Sequence, residues 1–96
     1  MNWLRMPMSN WYRILYTKQG LKDKRIAFKA GYGKKIKNIL STLKENPFAN
    51  YPPYEKLIGD LSGAYSRRIN IKHRVVYQVY NKERIVKIIS MWLHYE

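Results

Sequence analysis

"LSGAYSRRINIKHRVVYQVY", residues 61–80, packs three arginines, a lysine and a histidine into a stretch that otherwise reads as strand. β-Branched and aromatic residues at near-alternating spacing favour a pleated, half-buried surface, and the turn-like "GDLSG" at 59–63 precedes them. The reading is three strands with short connections: 64–71, 74–80 and 84–93. Successive side chains on a strand point to opposite faces. Alternation then gives one set of Tyr65, Arg67, Ile69 and Ile71, which meets the core, and a second set of Ser66, Arg68 and Asn70, which lies open. Arg74 shares a face with Val76, Gln78 and Tyr80, and His94 shares one with Trp92 and Ser90. Aligned, these strands gather Arg68, Arg74 and His94 on one exposed surface.

Upstream, "WYRILYTKQ" at 11–19 reads as a first strand ended by Gly20. Residues 21–30 carry Lys, Arg, Ala and Leu without a breaker and form a first helix, which "GYG" at 31–33 terminates. Ile36, Ile39, Leu40 and Leu43 recur at helical spacing, with Lys34, Lys35, Lys37 and Lys44 on the other side, so a second, amphipathic helix follows. Asn46-Pro47 stops it. "NPFANYPPYEK" is then a loop stiffened by three prolines. The order β-α-α-β-β-β predicts a small α+β domain: a twisted, mainly antiparallel sheet with both helices on one face.

The 96 residues have room for one core, and domain 8–96 is read as a single unit preceded by a short N-terminal extension, 1–7. Nineteen Lys and Arg against six Asp and Glu give a formal charge of +13, a potential that attracts polyanions. An aromatic fraction of 15% is too high for a disordered basic tail. With no cysteine, disulfides and thiolate metal sites are excluded. "MNWLRMPMSN" holds no apolar run of signal-peptide length, and "RIVKIISMWLHYE" is broken by Lys87 and too short to span a bilayer. A cytoplasmic protein without membrane partners is expected.

The acids are Asp23, Glu45, Glu55, Asp60, Glu83 and Glu96. Glu55 stands out because the rigid Pro52-Pro53 segment aims it towards the basic strands, where a carboxylate can accept a proton from a sugar hydroxyl in reach. Alone, it reads better as a surface ion-pair partner, and His94 alone as a structural strand-end histidine. Arg68 and Arg74 suit a phosphate clamp, since guanidinium forks bind phosphoryl oxygens bidentately. Arg67, on the other face, is expected to lie along the sheet or pair with Glu45 or Glu83, and His73 to be structural. Trp11, Tyr12, Tyr16 and Tyr77 are expected in the core, whereas Tyr95 is singled out for RNA. Neither a Gly-rich phosphate loop nor an acid or His pair at metal-ligand spacing occurs, so no cofactor is expected and a hydrolase here is expected to work without metal.

Taken together, Glu55 two residues before Leu57, "LSG", "YSRRI", "HRVVY" and the His94-Tyr95 pair resemble the YoeB/Txe branch of the RelE/ParE toxin superfamily. The C-terminal half carries the likeness; the N-terminal half matches in length, helix pair and "NPF" loop. The resemblance implies a RelE-like fold and a toxin of a type II toxin–antitoxin system that cleaves messenger RNA on the ribosome, held in check by a cognate antitoxin, with a homodimer as a further expectation. By position it makes Glu55 the general base, Arg74 and Arg68 the phosphate-binding, charge-stabilising pair, His94 the general acid and Tyr95 an aid in placing RNA. The chain departs from the family in its basic first helix, proline-rich loop, extended N-terminus and Glu96 after the His-Tyr pair, features that bear on antitoxin pairing and tail geometry. Competing readings are a gyrase-inhibiting toxin of the ParE type, which has no use for an acid–base set, and a non-catalytic basic RNA- or ribosome-binding module.

Overall fold

A computed structural model describes residues 11–94. Its strands are β1 (Arg13–Tyr16), β2 (Tyr54–Lys56), β3 (Tyr65–Arg68), β4 (His73–Tyr80) and β5 (Ile85–His94), and its helices α1 (Lys18–Ala27) and α2 (Gly33–Glu45). They form one sheet in the order β1-β5-β4-β3-β2, antiparallel except for the parallel pair β1 and β5. The expected α+β architecture is what is observed, with one strand more than the sequence pattern predicts. β2 lies inside the segment read as loop, because its three residues pair edge-on with β3 while the prolines before it stay outside the ladder.

The first strand is also shorter than predicted. Lys18, Gln19 and Gly20 belong to α1, since Thr17 caps the helix by accepting from the Gly20 amide at 3.0 Å and itself donates to the Ile89 carbonyl at 2.6 Å. Gly20 is no strand terminator but the point where helix and sheet touch. A Cβ there would stand 2.6 Å from the Ile88 carbonyl oxygen, so only glycine fits. At Gly31, inside the wide turn Phe28–Tyr32, the φ of 94° breaks the helical path and divides α1 from α2, as the "GYG" reading predicts.

Ala27 of α1 and Ile36, Ile39 and Leu43 of α2 pack with Val75, Tyr77, Val86, Ile88 and Met91 of the central strands into one buried cluster. β5 departs from simple alternation. Register shifts between Arg74, Val76 and Tyr77 of β4 and their β5 partners place Ser90 opposite Val76, whereas Trp92 stacks on His73 at 3.7 Å between ring centroids. Because His73 and Val76 lie on opposite faces of β4, Ser90 and Trp92 do not share the face that alternation gave them. Asp23 of α1 serves the irregular strand: one carboxylate oxygen accepts from the Met91 amide at 3.0 Å, the other from the Gln19 side chain at 2.7 Å. Two further expectations fail for local reasons. Ile71 is 89% exposed because it sits in the β3–β4 turn beyond the last paired residue, and Trp11 is exposed at the sheet margin while Tyr12 beside it is buried.

Arg67 shows the largest departure. It is 1% exposed and meets no carboxylate among the described residues; its Nη2 donates to the carbonyls of Pro47 (2.9 Å) and Ala49 (2.8 Å), its Nη1 to that of Pro52, and its Nε to the Tyr77 hydroxyl (3.0 Å). Tyr77 in turn donates to the Pro47 carbonyl at 3.1 Å. Arg67 lies on the core-facing side of β3, so the rigid loop rather than a surface acid is what its fork can reach. Phe48, Tyr54, Tyr65 and Tyr77 surround this network with ring centroids 5.2–5.8 Å apart.

Arg67→Met is expected to destabilise the fold by about 3 kcal/mol or more in denaturant titration, because it strands several buried acceptors at once. Tyr77 gives a second check. Burial pushes its hydroxyl up to about 12, and the nearby Arg67 charge pulls it back only in part. A raised folded-state pKa leaves stability intact below about pH 10 and erodes it as pH climbs towards 12. Over that window the native protein is expected to lose on the order of 2 kcal/mol more than Tyr77→Phe, whose side chain does not titrate.

Candidate active site

Three neighbouring strands at one edge of the sheet supply the site. Register sets Glu55 of β2 opposite Ser66 of β3, Ser66 opposite Val76 of β4, and Arg68 of β3 opposite Arg74 of β4. Glu55, Ser66, Arg68 and Arg74 therefore share the face turned away from the helices, as alternation along β3 and β4 predicts. Arg67 and Tyr54, one residue along on each strand, point the other way and anchor the loop that delivers Glu55. Sequence neighbours thus divide the work, since Arg67 builds the platform and Arg68 stands on it.

Arg74 is the hub. Its Nη1 donates to Glu55 Oε1 in an ion pair and to Ser66 Oγ at 3.2 Å, so one guanidinium ties together β2, β3 and β4. Arg74 is 15% exposed and Glu55 58%, which leaves the carboxylate free to meet a ligand while the cation is held in place. Arg68 is exposed, with Nη1 donating to the Ile71 carbonyl at 3.1 Å across the tip of the β3–β4 turn. Lys35, Pro52, Pro53, Glu55, Ser66 and Arg68 line a cavity of about 210 Å³. Glu55 is the carboxylate of this cavity, and Lys35 and Arg68 are its cations.

The β4–β5 pairing carries the fourth expected residue to the same end of the sheet: Leu93 lies opposite Arg74, and the His94 backbone opposite His73. The His94 side chain and Tyr95 lie outside the described residues. His73, expected to be structural, is stacked on Trp92, and its Nδ1 lies 3.2 Å from Asn70 Oδ1. Among the described residues no group of three or more His, Asp or Glu side chains is placed as metal ligands would be, and no helix is long and apolar enough to cross a membrane. The pattern of the sequence passed over two members of the site. Ser66 had a face but no partner, and the register that puts its hydroxyl under Arg74 is not written in β3 alone. Lys35 reads as one of many solvated helix lysines, and only the return of the proline loop along α2 brings it to the cavity.

Other chains resemble this one in sequence and in fold. The YoeB toxin of Synechocystis is 32% identical over 87 residues, 91% of this chain and 90% of its own. That of Escherichia coli O6:H1 is 39% identical over 70 residues, 73% of this chain and 74% of its own. Among solved structures, a YoeB/ParE toxin from Agrobacterium tumefaciens superposes with a TM-score of 0.78 at 30% identity, covering 86% of this chain and 99% of that one. A YoeB–YefM complex from Staphylococcus aureus gives 0.74 at 33% identity over 88% and 98%. The family described as YoeB-like toxin of bacterial type II toxin–antitoxin system matches residues 9–95, a span that takes in every strand and helix of the fold and the whole of the site. By sequence and by fold alike, the chain belongs to the YoeB family of type II toxin–antitoxin toxins, within the RelE/ParE superfamily.

Proposed function

We propose that the protein is a ribosome-dependent messenger-RNA endoribonuclease that halts translation by acid–base cleavage at the Glu55–Arg74 site. The observation that carries this reading is Arg74, which holds Glu55 and Ser66 with one guanidinium while Arg68 stands beside it in register. An acid–base set of this kind matches what RNA offers. Glu55 takes the proton from a ribose 2′-hydroxyl, and the oxygen attacks the adjacent phosphorus in line as the bond to the 5′-oxygen breaks. Arg74 and Arg68 offset the charge that builds on the phosphoryl oxygens. His94 returns a proton to the departing 5′-oxygen, and Tyr95 helps to place the strand.

The Glu55–Arg74 pair gives this mechanism a resting state. A phosphodiester is a strong partner for a guanidinium fork, so its arrival competes with Glu55 for Arg74 and leaves the carboxylate available as a base. Proton transfers supply about 10²- to 10⁴-fold each, so positioning by the ribosome supplies much of the remaining acceleration. The S. aureus YoeB relative has been solved with YefM and also as a dimer. For this chain the matching partner is an antitoxin whose acidic or disordered segment covers the basic face and orders on binding, alongside a homodimer.

Glu55→Ala is expected to lower cleavage in translating ribosomes by about 10²- to 10⁴-fold. His94→Gln should lower it over the same range, and both variants should still associate with ribosomes. Mapping of RNA ends in a reconstituted translation system checks both. No new ends with the native protein would sink the enzyme reading, and full activity in either variant would sink that residue's role.

A further inference from the structure

The cavity at Glu55 does not stand alone. A second depression of about 650 Å³ runs between α2 and the loop at 51–53, and Lys35, Pro52 and Pro53 line both. The two therefore adjoin, with Lys35 lining both. From there the groove passes the polar face of α2, at Asn38 and Thr42, and ends at Glu45. Tyr51 forms part of its wall and is 87% exposed, whereas the neighbouring aromatics Phe48, in the same loop, and Tyr54, at the start of β2, are packed against each other.

We propose that this groove is the seat of the nucleotides flanking the cut, with Lys35 against the phosphate next to the scissile one and the Tyr51 ring stacked on an unpaired base. The inference rests on the reading of the site as an RNA-cleaving one. Its chemistry favours a polyanion with planar bases over a peptide. A strand leaving the Glu55 cavity meets a cation at once, then a free aromatic face, then amide and hydroxyl groups that can bond sugar or base edges. Glu45 sets the far limit, because a carboxylate repels the next phosphate. Lys35 is held in place from behind, since Ile36 next to it and Ile39 one turn on are buried in the core, so only the lysine's own side chain has freedom.

The test is steady-state cleavage of messenger RNA on programmed ribosomes by Lys35→Gln, Tyr51→Ala and, as a charge control, Lys82→Gln in the exposed β4–β5 turn. Tyr51→Ala is expected to raise KM by about tenfold, the effect of losing one base stack. Lys35→Gln should raise KM by a factor of about three to ten and flatten the slope of log KM against log salt by about one, as for one lost phosphate contact. In both, kcat should stay within about twofold, and Lys82→Gln should match the native protein. KM values equal to the native one in both groove variants would overturn the proposal while leaving the enzyme reading intact. Unchanged cleavage combined with weaker inhibition by the antitoxin would overturn it too, by assigning the groove to that protein. Failure of the native protein to cut is visible before any variant is read, and would remove the enzyme reading beneath it.

Discussion

The buried guanidinium of Arg67 is the constraint on which the site depends. A full positive charge with 1% exposure is tolerable here because three backbone carbonyls and a phenol oxygen surround it. Those carbonyls belong to Pro47, Ala49 and Pro52, so the cost of burying the charge is offset only while the loop keeps one shape. Prolines narrow what the loop can do in the unfolded chain, and Arg67 selects one of the remaining shapes. Glu55 follows three residues after the last of these carbonyls, already paired with Ser66. The carboxylate's position is thus inherited from a side chain on the opposite face of the sheet.

Charge organises the rest of the molecule by a different rule. At +13 the chain repels itself, and its folded state tolerates this because the lysines of α1 and α2, the half-buried Lys24 apart, are turned to solvent while the hydrophobic stripe of α2 faces the sheet. Two of the six acids are placed for specific tasks. Asp23 satisfies the Met91 amide where β5 leaves regular pairing, and Glu55 neutralises Arg74. A polyanion reaching the edge of the sheet therefore finds an ion pair that can be exchanged, with Lys35 and Arg68 beside it.

Much of this was readable in the sequence, and the failures have identifiable physical causes. Alternation put Ser66 and Arg68 on the open face and Arg74 opposite them because β3 and β4 pair without interruption from Tyr65 to Arg68. The same rule failed in β5, where two register shifts reverse which side a residue faces, and nothing in "IISMWLH" marks a bulge. Helix α2 declared itself through its apolar period, whereas α1 began three residues early because Thr17 is a cap and Gly20 a contact point, both resembling turn residues in one dimension. β2 was hidden by its prolines, and the partners of Arg67 by distance along the chain. The combination of Glu55, Arg68, Arg74 and the tail pair was legible as a family resemblance before any register was known. That Arg74 ties Glu55 to Ser66 was not, because it requires three strands at once.

The placement of β5 has a consequence for how the molecule comes into being. This strand joins β1 and its helix to the β4-β3-β2 half, and it contributes Val86, Ile88 and Met91 to the common core. Until residues 85–94 are available, β1 has nothing to pair with and α1 no surface to rest on. Most of the native contacts linking the two halves of the chain are then missing, and the loop-closure entropy of a pairing that spans some seventy residues has yet to be met. Strands β2, β3 and β4 can pair among themselves, but only when β5 joins them is their edge tied to β1 and α1 and flanked by the end of β5, so the topology of the sheet makes β5 the element that completes the surroundings of the candidate site.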